Sequence, residues 1–206
     1  MLKLNSPIAA SLALGAALTT LLAASSAFAT TYSIDSAHTA VLFKVRHLVS
    51  KTTGRFDKFE GTVDIDPKER GSLKVTGSID VDSIDTDEPK RDAHLRGADF
   101  FDAARFPKIT FSAGSLSEVN ADRTKGKLSG DITIHGVTKP IVLQVEWLGT
   151  VTDPWGNNKA GFDATTTINR KDFGLVWNKT LDSGGLMIGD EIEIELHVEM
   201  AEAKGR

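Results

Sequence analysis

The 206-residue chain contains no cysteine, one tyrosine, three tryptophans and six prolines. Each shortage closes a class of explanation. Without cysteine there is no disulfide framework, no thiolate ligand for a metal and no thiol nucleophile. One tyrosine and three tryptophans are too few for the aromatic girdles that a transmembrane barrel carries at both interfaces. Runs of basic residues are missing too. Lys and Arg number 24 against 28 Asp and Glu, a formal charge of −4, and an acidic surface repels nucleic-acid phosphates. Nucleic acid is therefore not an expected partner.

What is present begins with a leader. Lys3 precedes an apolar run from Ile8 to about Ala24, followed by Ala27-Phe28-Ala29, the small-x-small pattern of a cleavage site. Ser11, Gly15, Thr19 and Thr20 dilute the run, so it is a poor membrane anchor. Residues 1–29 are expected to be a signal peptide removed after Ala29, directing export. Residues 30–206 then form one domain of 177 residues, long enough for a substantial core. No further segment is apolar enough to span a bilayer, and no cysteine follows the leader for lipid attachment. Stable membrane insertion is not expected.

The mature chain alternates apolar and polar residues. Leu73, Val75, Gly77, Ile79 and Val81 interleave with Lys74, Thr76, Ser78, Asp80 and Asp82; Ile192, Ile194, Leu196, Val198 and Met200 interleave with Glu193, Glu195, His197 and Glu199. A period of two is the signature of a strand with one dry face. Similar segments surround Val41–Val45, Phe59–Ile65, Ile109–Ala113, Leu128–Ile134, Ile141–Val151 and Phe162–Ile168, divided by turn-forming stretches such as DPKERGS, HGVTKP and DPWGNN. About eight antiparallel strands in one all-β domain imply a closed barrel or a sandwich. Small residues fall mid-strand on the apolar faces: Gly77, Gly130, Ala113 and Ala164. They fit either a ligand-sized lumen or a packed core in which small complements large.

One stretch breaks the alternation: RDAHLRGADFFDAARFP, residues 91–107. Thr86 or Asp87 is a candidate N-cap and Pro89 suits the first turn. A short helix to about Arg96, stopped by Gly97, is expected to cap one end of the barrel with Leu95, Phe100, Phe101 and Phe106.

Catalytic and metal motifs are scarce. The five histidines, His38, His47, His94, His135 and His197, contain no pair at ligand spacing, and there is no G-x-S-x-G elbow. No catalytic residue, metal or cofactor is assigned. The polar group of interest is Arg91, Asp92 and His94 with Arg170 and Asp172. It reads either as helix-end and turn pairing or as a collar holding a ligand's head at the barrel mouth.

The ordered motifs YSIDSAHTAVLFKVRHL, GRFDKFEGTVDID, RDAHLRGADFFDAARFPKITF, LSGDITIHGVTKPIVLQV, TINRKDFGL and IGDEIEIELHVE, from about Tyr32 to Glu199, resemble the YceI-like, polyisoprenoid-binding periplasmic proteins. Tyr32 stands where many members carry tryptophan. The resemblance implies an eight-stranded lipocalin-like barrel holding an isoprenoid lipid or isoprenoid quinone in an apolar tunnel, and often a homodimer. The expected lining is then the apolar parity: Phe43, Val45, Val75, Ile79, Phe111, Ile132, Ile134, Leu143, Val145, Trp147, Phe162, Ile168 and Ile194, with Gly130 a small mid-tunnel residue and Arg91, Asp92, His94 and Arg170 at the polar mouth. Burying roughly 20 carbons at about 0.8 kcal/mol per methylene gives on the order of 15 kcal/mol gross, enough for affinity after the cost of association. From the residues alone, a hydrolase on the same barrel and a stress-related structural module with a solid core stay open.

Overall fold

The computed structural model describes residues 30–65, 72–182 and 184–203. The expected leader, residues 1–29, lies outside the described residues.

Five strands come first: β1 (Thr30–Ile34), β2 (Ala40–His47), β3 (Ser50–Phe56), β4 (Phe59–Ile65) and β5 (Ser72–Asp80). A 3-10 turn and the two-residue β6 (Ile84–Asp85) lead to α1 (Pro89–Arg96). The rest is a meander of β7 (Lys108–Ser117), β8 (Lys125–Ile134), β9 (Val137–Thr152), β10 (Asn158–Asn169) and β11 (Ile188–Glu202). A second 3-10 turn, Arg170–Phe173, opens the long β10–β11 connection.

These strands make eight staves. β1 and β2 lie end to end along one edge of β11, with Ile34 opposite Met200 and Ala40 opposite His197. On their other side β4 pairs with β1 and β3 with β2. β5 and β6 continue the pattern against β4 and β3. Because β1 bonds to both β4 and β11, the sheet closes on itself and leaves no edge along that seam. The result is the eight-stranded antiparallel barrel with one helix.

The eight apolar segments of the sequence correspond to β2, β4, β5 and β7 to β11. β1 and β3 were not legible: β3 reads SKTTGRF, with a single large apolar residue. Both complete staves already counted, which is why the expected number still holds.

Alternation sorts the faces as expected. Val198 and Met200 are buried, while Glu193, Glu195 and Glu199 stand outside. Beside Gly114 the β7–β8 register slips between Ala113 and Ser115, so the inward set passes from Ile109, Phe111 and Ala113 to Leu116.

Antiparallel order gathers the β2–β3 turn, α1, the β8–β9 turn and the β10–β11 connection at one end of the barrel. Here α1 fills the gap left because β6 does not pair with β7. Its N-cap is Glu88, whose carboxylate accepts from Lys90 N at 2.8 Å, rather than Thr86 or Asp87. Thr86 is instead buried and bonded to Asp92. Beneath the cap lies a core of Phe56, Val81, Ile84, Ile109, Phe173 and Leu175; a second core of Val63, Ala113, Leu128, Ala160, Ala164 and Met200 fills the opposite end.

Candidate functional site

A cavity of about 550 Å3 runs from the capped end into the barrel. That is within the range of roughly 300–1,000 Å3 typical of small-molecule sites. Of the residues expected to line it, Phe43, Val45, Val75, Ile79, Phe111, Ile132, Ile134, Leu143, Phe162, Ile168 and Ile194 do so. They come from β2, β5, β7, β8, β9, β10 and β11, so the wall is built by parity around most of the ring.

Three expected residues do not line it. Val145 and Trp147 pack against the second core and are not part of the lining, although Trp147 lies opposite the lining residue Phe162. Gly130 is inward by parity, but its side-chain space is already taken. A Cβ there would run into the Ser112 carbonyl oxygen, 2.7 Å from Ala113 Cβ and 2.9 Å from Phe111 Cε2. The Phe111 ring crosses the strand at Gly130, and the glycine permits close sheet packing rather than keeping a tunnel open. The small residue that faces open space is Gly77, where an added Cβ would meet nothing nearer than 4.0 Å. Sequence reading noticed Gly77 without separating it from Gly130, because only the register decides which glycine lies under a neighbouring ring.

Inside, the bore makes no polar demand. No buried side-chain nitrogen or oxygen among the described residues lacks a hydrogen-bond partner. Glu60, the acidic residue along the lining, is itself exposed. An apolar occupant therefore meets mostly hydrocarbon and aromatic groups, and the fully buried polar atoms are already satisfied.

Polarity collects at the mouth. Lys90, Arg91, His94, Arg170 and Trp177 line it there, together with His47 and Thr52. Asp92 does not; it is buried under the helix, accepting from Thr86 N at 2.9 Å and from the Thr86 hydroxyl. Arg91 donates from Nε to Thr86 Oγ1 and from Nη2 to Thr86 O, both at 2.7 Å. This knot ties the first turn of α1 to the chain before it.

Arg170 is a staple. It is 4% exposed and donates to Gly189 O at 2.9 Å, Leu175 O at 2.5 Å, Trp177 O at 2.8 Å and Asp190 Oδ1 at 3.1 Å. Burial pushes its guanidinium pKa down, while Asp190 opposes that shift. Three carbonyls and a carboxylate occupy its donors, so its work is to fold the β10–β11 connection across the mouth. His94 packs into an aromatic cluster: its ring is edge-on to Phe100 at 5.0 Å and to Trp177 at 4.9 Å, and Nε2 lies 3.0 Å from Asp99.

Metal-type ligands converge in one place among the described residues. Atoms of Asp35, His38 and Glu199 lie within 4.8 Å of one another at the break between β1 and β2. Lys159 Nζ is already there, 2.6 Å from Asp35 and 3.1 Å from Glu199. The cation of this cluster is the chain's own ammonium group, and the cluster pins β10 and β11 to the kinked stave.

Comparison with known proteins adds the lineage. A family model described as the YceI-like domain matches residues 32–200. A UPF0312 protein of Vibrio cholerae serotype O1 is 39% identical over 173 residues, covering 82% of this chain and 85% of the relative. The crystal structure of a Campylobacter jejuni YceI protein superposes with a TM-score of 0.64 at 33% identity, over 78% of this chain and 91% of that one. A polyisoprenoid binding domain from Saccharophagus degradans, implicated in plant cell wall breakdown, shares the fold with a TM-score of 0.58 at 18% identity, over 84% of this chain and 99% of that one.

Proposed function

We propose that this chain, which belongs to the YceI-like family, is a periplasmic binding protein that carries or stores an isoprenoid lipid, its tail held in the barrel cavity. The observation that carries the reading is the bore itself: about 550 Å3 of space walled by apolar side chains from most of the staves. A solid structural core leaves no such space. Burying apolar surface supplies affinity without a headgroup motif, which suits a cavity whose charged side chains, Glu60 apart, collect at one end. The Saccharophagus domain of the same fold, a polyisoprenoid binding domain, supports the ligand class. The same arrangement supports binding rather than catalysis, since Arg91 and Arg170 at the mouth are engaged in holding α1 and the β10–β11 connection.

Export, removal of the leader after Ala29, the quinone or polyprenyl identity of the head and assembly as a homodimer belong to the same proposal. The test is extraction of the purified mature protein with organic solvent and mass spectrometry of what is released, followed by titration of the emptied protein with a prenyl quinone and a prenyl alcohol. Co-purified prenyl lipid and saturable binding are expected. A protein that is always recovered empty and has no affinity for either compound refutes the carrier reading.

A further inference from the structure

The tight turn between β2 and β3 consists of Leu48 and Val49, since His47 pairs with Ser50. Two-residue hairpins favour Gly, Asn or Asp here because a central residue must take positive φ. Leu48 takes it, with φ of 52°, although a bulky side chain is strained in that conformation. Val49 beside it is fully exposed. The turn accepts both a conformational and a solvation cost to present two aliphatic side chains to the outside.

It does not stand alone. Leu48 N donates to Met187 O at 2.9 Å, and the Arg46 guanidinium donates to Leu48 O at 3.2 Å and to Leu186 O at 3.5 Å. The turn is thereby stapled to the β10–β11 connection, where Val176 and Leu186 are also exposed. Their chain neighbours Trp177 and Met187 line the cavity, as does His47 next to Leu48. Exposed apolar residues and lining residues thus alternate along one rim, and the outer apolar surface is continuous with the mouth.

The charge of this rim differs from that of the wall. Glu193, Glu195 and Glu199 of β11 are each matched by a cation, and Asp190 is matched by Lys171 and Arg170. Around the mouth, Arg46, Lys90, Arg91 and Lys179 have no carboxylate partner among the described residues. Asp172 and Asp182 are exposed acids of the same connection, Glu191 near the start of β11 is exposed as well, and Glu88 is turned back onto the helix N-terminus. Cations without carboxylate partners thus lie near an exposed aliphatic lip in a protein that is acidic as a whole.

We infer that this lip docks the barrel mouth-down on a lipid bilayer carrying anionic headgroups, with Val49, Leu48, Val176 and Leu186 dipping into the interface. A hydrophobic lip with unpaired basic side chains close to it is the pattern of interfacial binding without insertion. The inference rests on the proposed lipid cavity for its purpose: docking brings the bore level with the acyl layer, so a tail enters without crossing water.

Flotation tests it, using mature protein and vesicles of phosphatidylethanolamine with phosphatidylglycerol, compared with phosphatidylcholine alone. The protein floats with the anionic vesicles, and high salt reduces the fraction. Val49→Asp combined with Val176→Asp lowers partitioning at least about tenfold, since a charge at an interface and a lost apolar contact each cost of order 1 kcal/mol or more. Neither residue lines the bore, so the same variant binds a prenyl quinone delivered from ethanol as the parent does. Quinone binding without flotation overturns the lip and leaves the cavity reading standing; flotation without quinone binding overturns the cavity reading alone. A parent that forms a dimer in sedimentation, dissociated by the two substitutions, and that does not float shows the lip to be a contact between copies and overturns the membrane assignment.

Discussion

Gly77 and Phe111 face each other across the β5–β7 ladder, and a Cβ built on Gly77 would stand 4.0 Å from Phe111 Cβ with nothing nearer. The glycine leaves a hollow in the wall where its neighbours Val75 and Ile79 have side chains. Gly77→Leu is therefore expected to grow a side chain into the bore, lowering prenyl affinity by tenfold or more at about 0.8 kcal/mol for each displaced methylene contact. The barrel stays folded, because strand glycine is the less favourable residue. Ligand titration alongside circular dichroism checks this, and unchanged affinity places the ligand elsewhere.

Gly130→Leu is expected to behave oppositely. Its new side chain meets the Ser112 backbone and the Phe111 ring, so the cost is overpacking of about 1–3 kcal/mol or more and appears as a lowered melting temperature. A thermal scan of the two glycine variants side by side separates a blocked bore from a distorted wall.

Arg170→Met should destabilise, at roughly 1–3 kcal/mol for each buried carbonyl left without a donor. It leaves Asp190 without one partner and the Gly189, Leu175 and Trp177 carbonyls without a donor. The β10–β11 connection loosens first, so faster amide exchange at 174–190 is the specific readout. A variant with parental stability but weaker ligand binding would recast Arg170 as a headgroup contact.

Acid stability should depend on Asp35. Lys159 first, then His38, hold its carboxyl down from the ordinary 3.8 to about 2 by hydrogen bonding. A folded-state pKa below the unfolded one contributes stability that is complete above about pH 4 and is lost as pH falls through the folded value. Asp35→Asn is expected to lower the melting temperature at neutral pH and to flatten its fall between about pH 4 and pH 2. Parallel profiles for the two proteins would assign the acid sensitivity to other carboxylates.

Trp177 lines the mouth, whereas Trp147 packs in the second core and Trp155 is exposed on the β9–β10 turn. Tryptophan emission should therefore shift when a prenyl ligand binds, and Trp177→Phe should abolish the shift while affinity changes little. A shift that survives the substitution moves the ligand away from the mouth.

Most of the wall was legible because parity is a local property. Ile192, Ile194 and Leu196 must share a face whatever the strand pairs with, and the acidic residues between them decide which face is wet. The cap was legible in outline from Pro89 and Gly97, but its N-cap was not. Several polar residues precede Pro89, and only packing showed that Thr86 is drawn inward to Asp92 while Glu88 turns back to the helix. The mouth was left between two readings for a similar reason. Arg170 and Arg91 look alike as exposed cations in a string of letters, yet one is spent on three carbonyls and a carboxylate brought from 5 to 20 residues away.

By itself, the order of residues determined the strands, which of their faces is apolar and the place of the helix, since alternation and turn chemistry act over a few residues. Tertiary structure alone decided that β1 with β2 and β3 with β4 make single staves, that Gly77 rather than Gly130 leaves room in the bore, and that the Leu48–Val49 turn meets the β10–β11 connection at one rim. Register and closure bring together residues far apart in the chain, and the volume left between side chains is fixed only once every neighbour is in place.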